Sequence, residues 1–125
     1  MRKIFFFIFL FSSYNSFTQS TEIENLILKK EYYKADSILK KYIINNNKVS
    51  SQLTFLFGKN SFFLKKYKQS INWLNKYLEL KGESGKYSDE SIRFLELSNA
   101  KNILESEKDI ENVYVQLFSY NYIAV

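Results

Sequence analysis

The chain contains no cysteine, no proline and no histidine, and only three of its 125 residues are glycine. Without cysteine it forms neither a disulfide nor a thiolate metal site, and without histidine it lacks the commonest general base and metal ligand. The residues that usually interrupt long helices are therefore scarce, which favours an all-α chain. The length of 125 residues is enough for one domain. We expect no enzyme activity, no cofactor and no metal site, because the sequence contains neither a phosphate-binding glycine loop nor an assisted nucleophile.

The first residues have the pattern of an export signal. A basic start, Met1-Arg2-Lys3, is followed by an uninterrupted apolar run from Ile4 to Phe11 and then by a serine-rich stretch. This run is much shorter than the roughly 20 residues that a membrane-spanning helix needs. We therefore predict a signal peptide over residues 1–18, cleaved between Thr18 and Gln19, and an exported protein that is periplasmic or extracellular. An uncleaved membrane anchor and a buried N-terminal strand are the alternatives.

A pattern of apolar and small residues at steps of three and four recurs in the rest of the chain, and such steps place each set on one helical face. Its first copy is Tyr32, Ala35, Leu39, Tyr42 and Ile43, and its second, at an offset of 35, is Tyr67, Ser70, Leu74, Tyr77 and Leu78. A third copy, after a glycine-containing segment at 81–88 that is typical of a loop, is Ile110, Val113, Leu117 and Tyr120.

A second helical stretch precedes each copy. The first begins at a capping box of Thr21 and Glu24, the second near Ser50 or Ser51, and the third at Ser88 and Asp89. The buried faces predicted for these three helices are Ile23, Leu26 and Ile27, then Leu53, Phe57 and Leu64, and then Ile92, Leu97, Ala100 and Leu104. The domain, residues 19–125, is thus predicted to consist of helical hairpins at about 21–46, 50–81 and 88–122.

These hairpins resemble the tetratricopeptide repeat family, most clearly in the second unit. Phe57-Gly58 is similar to the family's large-then-small pair in the first helix of a repeat, and Tyr67, Ser70 and Leu74 are similar to the aromatic, small and large positions of the second helix. The first unit shares the second-helix residues, whereas the third matches only by spacing. The resemblance implies an all-α chain of two to three stacked antiparallel hairpins, that is, an α-solenoid.

The chain also departs from the family pattern. No unit ends in the family's proline, Tyr42 and Tyr77 replace an alanine, and Lys30 and Lys65 replace the turn glycine. A helical bundle with chance periodicity is the alternative to a repeat.

The family resemblance further implies a concave face, lined mainly by the first helix of each unit, that binds a protein or peptide. The residues at those positions are Gln52, Phe55, Lys59 and Phe62 in the second unit and Ser98, Asn102 and Glu105 in the third. Phe55, Lys59 and Phe62 share one helical face because they are separated by steps of four and three. The alternative is that both phenylalanines pack against the neighbouring hairpin.

Charge is divided unevenly along the chain. Residues 21–81 hold 12 lysines and five acids, a balance of +7, whereas residues 82–125 hold four basic and eight acidic residues, a balance of −4. A basic half rich in aromatic residues is typical of nucleic-acid binding, but the predicted export argues against that partner. The alternative function is a structural or anchoring helical segment at a membrane surface, which the basic half would attract if the surface is anionic.

The last segment permits two conformations and carries an apolar patch. Residues 113–118 alternate as a strand does, but their register with the repeat favours a helix, which we predict. The dense carboxylates Glu105, Glu107, Asp109 and Glu111 are interpreted as the acidic start of that helix. Near the end of the third hairpin lies a patch of apolar and aromatic side chains: Leu117, Phe118, Tyr120, Tyr122, Ile123 and Val125. It predicts that the chain self-associates through this end, that a partner docks there, or that a longer relative continues into further repeats. The alternative is that the tail folds back over the patch.

Overall fold

The computed structural model describes the backbone of residues 19–46 and 48–123 and the side chains up to residue 117. Within these residues the chain is helical and contains no strand. The helices are α1 over residues 19–28, α2 over Tyr32–Asn45, α3 over Ser51–Phe63, α4 over Tyr67–Lys81 and α5 over Ser88–Ile123, with a 3₁₀ turn at Gly82–Ser84. The all-α prediction is confirmed, as is the helix over residues 113–118.

The signal peptide predicted for residues 1–18 lies outside the described residues. Among the helices of the described part, none combines the length and the hydrophobicity needed to cross a membrane.

The turns that close the α1–α2 and α3–α4 hairpins have the same backbone geometry. Lys30 has a left-handed φ of 61°, its N–H donates to the Ile27 carbonyl at 3.0 Å, and the Glu31 N–H donates to the Leu26 carbonyl at 2.9 Å. This pair of bonds is the Schellman motif that ends many helices. The equivalent bonds in the second hairpin run from the Lys65 N–H to Phe62 and from the Lys66 N–H to Ser61, with a φ of 61° at Lys65. The repeat in the sequence is therefore also a repeat in backbone geometry.

Replacing Lys65 with glycine should stabilise the protein by about 0.5–1 kcal/mol. A left-handed backbone costs an L-residue roughly 1–2 kcal/mol, which glycine avoids, while glycine's greater freedom in the unfolded chain offsets part of the gain. The matched control is Lys41→Gly, at an exposed position inside α2, which should lose about 1 kcal/mol through lower helix propensity. Urea unfolding of the two variants measures both changes. Equal destabilisation by the two substitutions would show that the turn gains nothing from glycine.

Helix α3 is the centre of the packing and contacts α2, α4 and α5. Its N-cap is Ser50, whose hydroxyl accepts a hydrogen bond from the Leu53 N–H at 3.2 Å, and the helix thus starts where the sequence predicts, near Ser50 or Ser51. Its buried residues lie on every side: Leu53, Thr54, Phe55, Leu56, Phe57, Gly58, Asn60 and Ser61. A helix that is buried all round is a core helix and leaves little of its surface for a partner.

The core predicted for the first two units is largely confirmed. The apolar residues Ile23, Leu26 and Ile27 of α1 are buried, as are Leu53 and Phe57 of α3, whereas Leu64 is only partly buried. The start predicted for α1 is wrong, because residue 19 is already helical and Thr21 therefore lies inside the helix. The capping box does not begin this helix.

Helices α3 and α4 cross at very close range beside Gly58. A Cβ atom at this position would lie 2.7 Å from Cγ and Cδ2 of Leu74. The Ser70 hydroxyl donates to the Gly58 carbonyl at 2.8 Å, and the Ser98 hydroxyl of α5 donates to the Ser70 oxygen at 3.0 Å. The two helices therefore meet at Gly58 and Ser70, the small residues that the sequence predicts at this crossing.

The third hairpin predicted at 88–122 is not formed. α5 is a single helix of 36 residues from Ser88 to Ile123, with no turn before Ile110. The sequence offers a physical reason, since it contains neither glycine nor proline between residues 88 and 123 to end a helix there. The described chain thus consists of two helical hairpins followed by one long helix.

The buried face of α5 also differs from the prediction. Ile92, Leu97 and Leu104 are 37%, 43% and 57% exposed, and Ala100 is exposed as well. The residues that face the rest of the protein are instead mostly small and polar: Ser88, Ser91, Phe94 and Ser98. Small side chains let the backbone of α5 approach its neighbours. The hydroxyls of Ser88 and Ser98 are hydrogen-bonded, to the Gly82 carbonyl at 2.6 Å and to the Ser70 oxygen at 3.0 Å, whereas the Ser91 hydroxyl is buried without a hydrogen-bond partner among the described residues.

Candidate functional site

A cleft of about 210 Å³ opens between α1, α3 and the start of α5, and we call it the α1/α3/α5 cleft. Each of these is the first helix of a predicted unit, so the cleft lies on the side where the sequence predicts a concave binding face. Its lining combines apolar and charged side chains: Glu24, Ile27, Leu28, Phe55, Leu56, Lys59, Tyr87 and Glu90. Leu28 is 79% exposed, so its side chain is available to a molecule that enters the cleft.

An ion pair joins two walls of the cleft. Lys59 Nζ lies 2.8 Å from Glu90 Oε1, and the two side chains are 26% and 31% exposed. The ammonium group also lies 5.8 Å from the centre of the Phe55 ring and 5.7 Å from that of Phe94, within the range of a cation–π contact. Lys59 is therefore held in one place by α3 and α5 together.

A second polar contact joins α3 to α1, which forms another wall of the cleft. Gln52 Nε2 donates to Glu24 Oε1 at 3.0 Å and lies 3.3 Å from the Tyr87 hydroxyl oxygen. The position of Tyr87 is fixed in turn because its backbone N–H donates to the Tyr77 hydroxyl at 2.8 Å. The cleft lining therefore includes two carboxylates, Glu24 and Glu90, which can accept hydrogen bonds from a peptide backbone, and the Gln52 amide holds Glu24 in place.

Phe55 forms part of the cleft wall but is a core residue. Its ring stacks on Tyr87 with centroids 4.5 Å apart and an interplanar angle of 7°, and it lies 5.8 Å from Tyr77. The residue is only 1% exposed. The expectation that its ring is offered to a partner is thus corrected in favour of packing against the neighbouring helix, because α5 begins where the open face was predicted.

The remaining predicted residues do not join the cleft. Phe62 is partly buried at the other end of α3, in edge contact with Phe94 at 5.2 Å. Ser98 is buried between α4 and α5. Asn102 and Glu105 line a second cleft of about 370 Å³ beside the basic turn between α3 and α4, with Lys65, Lys66, Tyr67, Lys68 and Gln69. The structure therefore places Phe55 and Lys59 in the cleft lining and Gln52 behind it, hydrogen-bonded to two lining residues, and it places the other four predicted residues elsewhere.

Several cleft residues were missed in the sequence: Glu24, Leu28, Tyr87 and Glu90. The repeat register carried a signal for Glu24, since it lies 35 residues before Lys59 in the equivalent helix of the first unit. Tyr87 gave no such signal, because it lies in the loop before α5 and has no counterpart in the repeat.

The chain matches no protein-family model, no curated protein and no solved structure in the comparisons made.

Proposed function

We propose that this protein is an exported, tetratricopeptide-like scaffold that binds a protein or peptide through its α1/α3/α5 cleft rather than catalysing a reaction. The observation that carries the proposal is the lining of the cleft, in which exposed Leu28 and the neighbouring apolar residues lie beside Glu24, Lys59 and Glu90. A lining that combines apolar side chains with a few fixed polar groups is the usual construction of a site that recognises a peptide side chain and its backbone.

The size of the cleft favours a peptide over a small molecule. Sites that enclose drug-sized ligands occupy roughly 300–1,000 Å³, whereas this cleft measures about 210 Å³ and is open. It suits one or two apolar side chains of a larger partner. Lys59 and Glu90 already neutralise each other, so affinity should come mainly from the burial of apolar surface and only in small part from net charge.

A membrane-surface role is the alternative, and the charge of α5 counts against it. Helices that lie on anionic membranes carry Lys and Arg on their polar face, but residues 103–117 hold four acids and one lysine. The lysines that would favour such a surface lie in the two hairpins instead.

The test is affinity capture with the protein in the form that its own cell produces, using Leu28→Glu and Leu80→Glu as matched variants. Both positions are exposed, at 79% and 56%, and both substitutions introduce the same charge, but only Leu28 lines the cleft. We expect capture of a specific protein from an envelope extract, lost with Leu28→Glu and kept with Leu80→Glu. Binding should persist at high salt, where the Debye length falls from about 10 Å to about 3 Å.

Three results would contradict parts of this proposal. Equal capture by Leu28→Glu and the native chain would exclude the cleft. Capture from a cytoplasmic extract alone would argue against export. Co-sedimentation with anionic vesicles that disappears at high salt, without any captured protein, would support the membrane-surface alternative.

A further inference from the structure

The second half of α5 extends away from the two hairpins. Every residue from 103 to 117, which we call the distal α5 segment, is exposed. This segment includes four apolar or aromatic residues that are 55–59% exposed: Ile103, Ile110, Tyr114 and Leu117. They are separated by steps of seven, four and three, which place them on one face of the helix. A contiguous apolar stripe of this kind usually marks an interaction surface.

The charge of the distal α5 segment restricts what covers this stripe. The segment holds Glu105, Glu107, Asp109 and Glu111 but only one lysine, Lys108, a balance of −3. Pairing two such segments side by side would bring like charges together. The chemistry that suits the stripe is a helix face with exposed apolar side chains and positive charge.

A face of that kind is present in the same chain, on the outer side of α2. Tyr33 and Ile44 are 77% and 82% exposed and share a helical face with Ser37 and Lys41. Residues 29–48 hold six lysines and two acids, a balance of +4. Lys34 and Lys41 flank the exposed apolar residues of α2. Glu107 and Glu111 flank the apolar stripe of the distal α5 segment in the same way.

We propose that the distal α5 segment of one copy docks against the outer face of α2 of a second copy. The two surfaces have matching lengths, since α2 has 14 residues and the segment of residues 103–117 spans about 22 Å at 1.5 Å per residue. Their charges are opposite, and each presents apolar side chains that nothing else in the described chain covers. Neither surface contributes a residue to the α1/α3/α5 cleft, so this contact is independent of the proposed partner binding.

The contact joins two different surfaces of the chain, so two copies can make it reciprocally or in a head-to-tail row. Two copies that exchange their distal segments close into a dimer, and copies that do not close form longer chains. Two helices of this length give an interface at the small end of the range for specific complexes, so the association should depend on concentration and weaken with salt.

Charge exchange between the two surfaces tests the proposal. One variant carries Lys34→Glu and Lys41→Glu on α2, and the other carries Glu107→Lys and Glu111→Lys on α5. All four side chains are exposed, so circular dichroism should show unchanged helix in both variants. Sedimentation velocity over a concentration series should show the native chain associating, each variant associating at least about tenfold more weakly, and an equimolar mixture of the two regaining association.

The mixture is the decisive measurement, because each variant keeps the native surface that the other has lost. A mixed pair therefore has one native contact and one contact with exchanged charges, whereas each variant alone has only contacts between like charges. A native chain that stays monomeric at every concentration would overturn the proposal. So would a mixture as weak as its components, or an α2 variant that associates like the native chain. Equal association of the α5 variant with the native chain and with the α2 variant would indicate pairing between distal α5 segments instead, because both partners carry the native segment.

Discussion

Replacing Gly58 with alanine should destabilise the protein by about 1–3 kcal/mol, although alanine is the better helix former by about 1 kcal/mol. The added Cβ would lie 2.7 Å from Cγ and Cδ2 of Leu74 and 3.2 Å from its backbone nitrogen. Relief therefore requires α4 to move away from α3, and such a movement also strains the hydrogen bond from Ser70 to the Gly58 carbonyl. Urea unfolding measures the loss, and a larger residue such as leucine should prevent native packing.

Two further variants show whether the close crossing causes this loss. Asn72→Ala changes an exposed position of α4 and should leave stability the same or slightly higher, because it alters helix propensity alone. Leu74→Ala removes the two side-chain atoms that lie nearest to the new Cβ, so Gly58→Ala should cost less in that background than in the native chain. Gly58→Ala that stabilises the native chain would mean that the two helices are farther apart than the structure places them.

The sequence predicted the two hairpins well because their signal is repeated. The offset of 35 relates not only apolar residues but also Lys30 and Lys65, which take the same left-handed turn. The family resemblance placed these lysines where a glycine is usual, and the backbone conformation explains why glycine would suit that place. Two independent copies of one pattern carry more information than a single amphipathic helix does.

The prediction for α5 failed because hydrophobicity alone does not decide which face of a helix is buried. α5 has apolar residues on more than one side, including Ile92, Leu97 and Leu104, and the face that packs consists mainly of serines together with Phe94. Hydrogen bonds make buried serine acceptable, as between Ser98 and Ser70, and they depend on partners that a single sequence does not reveal. The repeat spacing at Ile110 then suggested a turn where no residue breaks the helix.

The candidate site was partly predictable for a similar reason. Gln52 and Lys59 were found from their register in α3, and both have polar partners on other helices. The Leu and Phe residues of α3 lie all around the helix, a pattern that is typical of a core helix rather than of an exposed binding face. That signal assigns Phe55 to the interior.

Phe55→Ala should therefore act on folding, with a loss of about 3–5 kcal/mol in the free energy of unfolding. The ring is 1% exposed, and its removal would leave a cavity beside Tyr87, whose ring stacks on it at 4.5 Å, and beside Tyr77. Phe63→Ala is the matched control in the same helix, since Phe63 is 37% exposed and its removal leaves a smaller cavity. We expect it to lose roughly 1 kcal/mol.

The comparison of these two variants decides what Phe55 does. A large loss at position 55 with a small loss at 63 places the Phe55 ring in the core, and any reduced partner binding by Phe55→Ala then reflects unfolding rather than a lost contact. Equal small losses, measured by urea unfolding, would mean that the Phe55 ring is accessible and free to contact a partner directly. For this reason the cleft is better probed at Leu28, whose side chain is exposed and whose replacement leaves the packing of α3 against Tyr77 and Tyr87 unchanged.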